Sequence, residues 1–136
     1  MTLTLRVLAP DQNVFDGPAD EVILPSTTGQ LGVLKDHAPL LSAIDVGVLR
    51  LREGSNWSAI ALMGGFAEVD ANEVTVLVNA AERGADIDAA EAERNLDVAR
   101  AALVRFEAEP SSAEKLLAQQ AVDKARARVQ AARGQA

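Results

Sequence analysis

The sequence predicts a mainly β, antiparallel β-sandwich followed by an antiparallel α-helical hairpin, and three observations carry that prediction. Up to about residue 84, short runs of alternating apolar and polar residues are separated at close intervals by Gly, Pro, Asn and Asp. From about residue 88 onward, glycine and β-branched residues nearly vanish, and Ala, Glu, Arg and Leu dominate. Within that second stretch, two apolar stripes of four-three spacing are separated by Glu109-Pro110-Ser111-Ser112. The division expected is a β-sandwich domain over 1–86 and a two-helix hairpin over 87–136.

Leu3, Leu5 and Val7 alternate with Thr4 and Arg6, the pattern of a half-buried strand. Pro10-Asp11-Gln12-Asn13 and Asp16-Gly17-Pro18 are turn chemistry, after which Glu21-Val22-Ile23-Leu24-Pro25 reads as a short strand closed by proline. Leu31-Gly32-Val33-Leu34 follows, and Lys35-Asp36-His37-Ala38-Pro39 interrupts it. Val48-Leu49-Arg50-Leu51-Arg52 and Trp57-Ser58-Ala59-Ile60-Ala61-Leu62 form a hairpin through Glu53-Gly54-Ser55-Asn56. Gly64-Gly65 breaks the pattern and marks a bulge or a close backbone approach. Phe66 to Val69 resumes it, and Asp70-Ala71-Asn72-Glu73 turns the chain into Val74-Thr75-Val76-Leu77-Val78. No crossover helix interrupts these strands, which favours an antiparallel sandwich or barrel.

Asp88 with Glu91 three residues later is a capping box, and Ile87 can staple onto Ala92. Ala92, Leu96, Ala99, Leu103 and Phe106 then mark one face of a first helix. Ser111 with Glu114 reads as a second capping box, and Ala118, Val122, Ala125, Val129 and Ala132 mark the second helix, with Gly134 placed as its C-terminal cap. The seam is rich in alanine, so the backbones can approach closely, but each Ala in place of a Leu gives up roughly 1 kcal/mol or more of burial. Such a hairpin is expected to be marginal alone and to need the β domain or a partner.

The chain has 136 residues and a formal net charge of −7, so a nucleic-acid backbone would be repelled overall. It has no Cys, which removes disulfides, thiolate metal sites and thiol catalysis. His37 is the one histidine, too few for a multi-histidine metal centre, and it sits in a turn without paired carboxylates around it. Gly29-Gln30-Leu31-Gly32 lacks the Gly-Lys-Ser/Thr and the helix start of a phosphate loop. No carboxylate cluster has metal-ligand spacing, no apolar run approaches the ~18 residues needed to span a bilayer, and no signal peptide is expected at the N-terminus. The expectation is a non-enzymatic assembly or regulatory subunit without metal or cofactor. Charge is uneven: from residue 111 on, Lys115, Lys124, Arg126, Arg128 and Arg133 face only Glu114 and Asp123. That helix is suited either to solvent, with late cations matching its dipole, or to an acidic partner.

These residues resemble a known family. Gly29-Gln30-Leu31-Gly32-Val33-Leu34-Lys35-Asp36-His37-Ala38-Pro39-Leu40-Leu41, followed by Gly47-Val48-Leu49-Arg50-Leu51, looks like the signature of the epsilon subunit of F-type ATP synthase. So do Gly64-Gly65-Phe66-Ala67-Glu68-Val69 with Val74-Thr75-Val76-Leu77, and Leu5-Arg6-Val7-Leu8-Ala9-Pro10 with Val14-Phe15-Asp16-Gly17. The resemblance runs from residue 3 to the end. Ala61-Leu62-Met63-Gly64-Gly65-Phe66-Ala67 and Thr75-Val76-Leu77-Val78-Asn79 are most similar to the cyanobacterial and chloroplast branch.

The resemblance implies a non-catalytic rotor subunit of the central stalk that binds the gamma subunit and the ring of c subunits. Its helices would reach the alpha and beta subunits and inhibit ATP hydrolysis. It implies an interface with gamma and the c ring around Gln30, His37 and Leu40, although many relatives carry Glu at the position of Gln30. Lys124, Arg126 and Arg128 would be the cations of the inhibitory helix. The implied location is peripheral, on the cytoplasmic or stromal face of an energy-transducing membrane, the thylakoid for this branch. The alternative reading is a free-standing β-sandwich binding module dimerised by its helices.

Some bacterial members of that family bind ATP through Ile or Leu, then Asp, two variable residues, Arg and Ala. Here the matching stretch is Ile87-Asp88-Ala89-Ala90-Glu91-Ala92, with Glu91 in place of the Arg. A cation able to pair with phosphate or stack on a base is thereby replaced by a carboxylate. Two like charges 4 Å apart cost roughly 1 kcal/mol in water and about 4 kcal/mol near a protein surface. The expectation is no binding at micromolar ATP, checked by calorimetric or NMR titration of the isolated chain. A saturable micromolar site centred on the first helix would contradict it.

Overall fold

In the computed structural model, which describes residues 2–108 and 110–134, the alternating segments form eight strands. They are β1 (Leu3–Ala9), β2 (Gln12–Ala19), β3 (Glu21–Ser26), β4 (Gly29–Leu34), β5 (Leu40–Glu53), β6 (Asn56–Asp70), β7 (Glu73–Val78) and β8 (Ala81–Arg83). A single 3-10 turn, Gly84–Asp86, leads into α1 (Ala89–Val104) and α2 (Ala113–Arg133). The strand order is β2-β1-β7-β6-β5-β3-β4, with β8 also on β6. Every pair is antiparallel except β1 with β7, which run parallel because they come from opposite ends of the β segment and no hairpin links them.

The alternation read from the sequence is the alternation of burial. Leu3, Leu5 and Val7 of β1, Val22 and Leu24 of β3, Leu49 and Leu51 of β5, Ile60 and Leu62 of β6, and Val74 and Val76 of β7 are all buried in one core, to which every strand contributes. Burial of this kind contributes roughly 1.5–3 kcal/mol per large side chain.

β5 and β6 are longer than the sequence pattern suggested, and β6 runs without a break through Gly64-Gly65. The ladder pairs Ile44 with Gly65 and then Val46 with Met63; Asp45 and Gly64 between them are not paired, but the register is the same on both sides, so the expected bulge is absent. Gly64 has a φ of 85°, a conformation that costs glycine nothing. Both ends of the two long strands reach one core, Ile44 and Val69 together with Leu49 and Ile60.

A second apolar cluster lies on the other face of β6. Ala59 and Ala61 pack there with Ile87, Ala92, Leu96, Val122, Ala125, Ala127, Val129 and Ala131. The predicted antiparallel hairpin forms, with α2 lying between α1 and the outer face of β5 and β6. Of the first stripe, Ala92 and Leu96 are buried, and Ala99, Leu103 and Phe106 are partly so. α1 stops at Val104, and Phe106 falls in a turn closed by its N–H to the Leu103 carbonyl at 2.9 Å.

The helix caps form by different means. Asp88 caps α1, its Oδ1 accepting from the Glu91 N–H at 3.1 Å. The second cap is Ser112, not Ser111: the Ser112 hydroxyl accepts from the Lys115 N–H at 3.1 Å, since Ser112 is the last extended residue before the helix. Gly134 ends α2 but keeps a negative φ of −78°. Its need for glycine is contact: a Cβ there would sit 3.0 Å from that of Ala59. Glu109, in the predicted break, lies outside the described residues.

At Gly65 the constraint is tighter. A Cβ would fall 2.0 Å from the Leu77 carbonyl oxygen and 2.7 Å from the Val78 Cα, both backbone atoms that cannot swing away. Gly65→Ala is therefore expected to destabilise the chain by at least about 2 kcal/mol. Chemical denaturation of the full chain, following the single tryptophan or far-ultraviolet dichroism, measures this.

Candidate interaction surfaces

Gln30, His37 and Leu40 fall at one end of the sandwich. Gln30 is exposed on β4, opposite Pro25 of β3, and Leu40 opens β5 opposite Val69 of β6. Both line a shallow depression of about 360 Å³ with Ser26, Thr28 and Leu41. The Ser26 and Ser42 hydroxyls, 3.0 Å apart, tie β3 to β5 beneath it. His37 is not part of that lining. It sits in the loop from β4 to β5, with its Nδ1 2.7 Å from the Ala38 carbonyl oxygen. That loop is clasped to the β6–β7 turn: the Asp36 N–H donates to Asn72 Oδ1 at 2.6 Å, and Asn72 Nδ2 donates to Asp36 Oδ1 at 3.3 Å. Asp36 and Asn72 both have φ near +65°, where short polar side chains are tolerated best after glycine. The structure thus brings Gln30 and Leu40 together and leaves His37 beside them.

A second surface escaped the reading of the sequence. Leu8 of β1 pairs with Leu77 of β7, Leu77 with Phe66 of β6, and Phe66 with Ala43 of β5. They make one row across four strands on the outer face. Phe66 and Leu77 are 59% and 55% exposed, well beyond a core role. A groove of about 580 Å³ runs beside them, lined also by Pro10, Gly65 and Asn79. The next row is polar over three strands, Arg6, Thr75 and Glu68, and ends at the exposed Leu41 of β5; Arg6 also pairs with Asp16 and Glu73 at 3.8 Å. The signal was available. Leu8 stands in the phase of Thr4 and Arg6, Phe66 in that of Glu68, and Leu77 in that of Thr75. Three strands each put an apolar residue where alternation calls for a polar one.

The cations of α2 do not form one free face. Residues two apart on a helix point roughly 200° from each other, so Arg126 lies away from Lys124 and Arg128. Arg126 pairs with Asp123 at 3.8 Å within the helix, beside Asp45 and Gly47 of β5. Lys124 is exposed. Arg128 reaches the sandwich and pairs with Glu82 of β8, and Arg133 pairs with Glu93 of α1. At the C-terminal end of α2, Gln130, Arg133 and Gly134 border a depression of about 540 Å³ with Ile23, Arg50 and Trp57. The Arg52 guanidinium lies 6.0 Å from the centre of the Trp57 ring.

The motif at 87–92 is occupied by local structure. Ile87 and Ala92 are buried in the second cluster, the Asp88 carboxylate caps α1, and Glu91 is exposed. Among the described residues, no group of His, Cys, Asp or Glu is placed to hold a metal ion, and no helix is long and apolar enough to cross a membrane.

Comparison with known proteins agrees with this fold. The family described as "ATP synthase, Delta/Epsilon chain, beta-sandwich domain" matches residues 2–84. An ATP synthase epsilon chain of Synechococcus sp. (strain WH7803) is 66% identical over 135 residues, covering 99% of each chain. That of Cyanothece sp. (strain PCC 7425 / ATCC 29141) is 60% identical, covering 98% of this chain and 97% of the relative. A chain in the cryo-EM structure of the Euglena gracilis mitochondrial ATP synthase (OSCP/F1/c-ring, rotational state 1) shares the fold. Its TM-score is 0.78 at 22% identity, covering 96% of this chain and 81% of that one. A family match over all eight strands and two-thirds identity over nearly the whole length lead to one conclusion: the chain belongs to the epsilon-chain family of ATP synthase, a non-catalytic subunit of that complex.

Proposed function

We infer that the chain works in the rotor of ATP synthase, its sandwich coupling gamma to the c ring and its helices restraining ATP hydrolysis. The observation that carries the first part is the exposed row Leu8, Leu77, Phe66 and Ala43. An apolar strip of this kind beside a polar border is the anatomy of a surface that a protein partner covers. In this reading gamma covers the row, and the depression with Gln30 and Leu40, beside His37, faces the c ring. The similar Tetrahymena thermophila structure is of a central stalk and c ring, with a TM-score of 0.59 at 19% identity. Membership of the family sets aside the free-standing binding module.

The second part rests on the basic character of α2. Lys124 and Arg128, four residues apart, share a face that an acidic surface on alpha or beta would attract, with Arg126 meeting a different part of it. The proposed division is a gamma- and c-ring-binding part over 1–86 and a regulatory part over 87–136. The proposed location is peripheral, at the thylakoid, on the face that carries the catalytic subunits.

Two outcomes are expected. Phe66→Asp together with Leu77→Asp leaves the far-ultraviolet dichroism unchanged but weakens co-elution with gamma, each substitution lowering the affinity by about 30-fold. A chain ending at Asp86 still co-elutes with gamma, and the catalytic complex assembled with it hydrolyses ATP faster than with the full chain. Equal hydrolysis with both chains would move the restraint to the sandwich or to gamma.

A further inference from the structure

β8 is three residues long, and its register decides where its middle residue points. Glu82 lies opposite Ala61 of β6, and Ala61 belongs to the face that packs against the hairpin. The Glu82 carboxylate is therefore presented to α2. Arg128 meets it at two points: Nε donates to Oε1 at 2.9 Å and Nη2 to Oε2 at 3.3 Å. The two side chains are 22% and 45% exposed, so the pair is partly withdrawn from water. Its neighbours on the helix bind elsewhere, Arg126 to Asp123 and Arg133 to Glu93. Beneath α2 the apolar contact is made by small and medium side chains: the strand side offers Ala59 and Ala61 with the partly buried Val46, Val48 and Met63, and the helix side is Val122, Ala125, Ala127, Val129 and Ala131. A two-point guanidinium–carboxylate pair is the strongest of the side-chain pairings and fixes orientation as well as distance.

We propose that Glu82 is the latch of α2: by pairing with Arg128 it holds the helix on the sheet and, while paired, withholds that guanidinium from any acidic partner. The part concerning a partner rests on the reading of α2 as the restraining helix; the part concerning docking does not. Nε and Nη2 make up one edge of the guanidinium, and while Glu82 holds that edge the side chain stays against the sheet, 22% exposed, and cannot turn the same edge to a second carboxylate. Glu82 then sets how readily α2 leaves the sheet.

The test is amide hydrogen exchange on the full chain. Glu82→Gln keeps the shape and removes the charge, and is expected to speed exchange of the α2 amides from Val122 to Arg133 by about five-fold, with β7 unchanged. Arg128→Gln should do the same, and the double variant no more than either alone. Exchanging the charges, with Glu82→Arg and Arg128→Glu together, should restore protection. Raised salt should speed exchange in the native chain and not in Glu82→Gln. Unchanged exchange in Glu82→Gln, or additive effects of the two single variants, overturns the latch. In the assembled complex Glu82→Gln is expected to restrain hydrolysis at a lower concentration than the native chain. Faster exchange without that change upholds the latch and removes Arg128 from the restraining surface.

Discussion

β6 is buried on both faces from Ala59 to Leu62, and most of the architecture follows from that. Ile60 and Leu62 point into the sandwich, and Ala59 and Ala61, one residue out of phase, point at α2. A strand buried twice cannot alternate apolar with polar, which is why this segment reads as a continuous apolar run. The two faces differ in side-chain size. Large residues inward fill a core drawn from every strand; methyl groups outward let a helix backbone lie close to the sheet. Contact at that distance is geometrically demanding and energetically modest, as the closeness of Gly134 to Ala59 illustrates.

Much of this was legible before the structure. The strands followed from period-two alternation, and the helices from four-three spacing bracketed by a capping aspartate and a terminal glycine. What was missed has physical reasons. The continuity of β6 was hidden by Gly64-Gly65, because glycines kept for a positive φ or a close backbone approach inside a strand look like a break in one dimension. Ser111 and Ser112 both suit a cap, and only backbone conformation distinguishes them. Part of the candidate surface was also within reach. Phe66 and Leu77 announced themselves by standing in the polar phase of their strands, but that they share a row with Leu8 depends on the parallel pairing of β1 and β7, a contact remote in sequence. Nor does composition reveal that Lys124, Arg126 and Arg128 divide between two sides of one helix, or that one of them already has a partner on β8.

The charge pattern acquires meaning in this setting. An acidic sandwich beneath a basic helix is attractive overall, so the net charge of −7 on the whole chain conceals an internal complementarity. α2 contributes most of its cations to carboxylates of its own chain: Arg126 to Asp123, Arg128 to Glu82, Arg133 to Glu93. The two more exposed pairs, Arg126 with Asp123 and Arg133 with Glu93, are individually weak and exchangeable, which leaves the two-point pair of Arg128 with Glu82 as the main polar tie between α2 and the sheet. A helix held by several such pairs and by methyl contacts is well placed, without being committed to its place. Its N-terminal half adds to this, since Leu116 and Leu117 are exposed and burial begins only at Val122.

Trp57 stands where that arrangement ends, bordering the depression closed on its other side by Gln130, Arg133 and Gly134. It is the one tryptophan of a chain that has no tyrosine. Indole emission responds to the polarity and the quenchers around the ring, and here part of those surroundings is supplied by the last turn of α2. The molecule thus carries its own optical label at the junction of its β and α layers. The ultraviolet emission of the unlabelled chain reports whether helix and sheet are in contact.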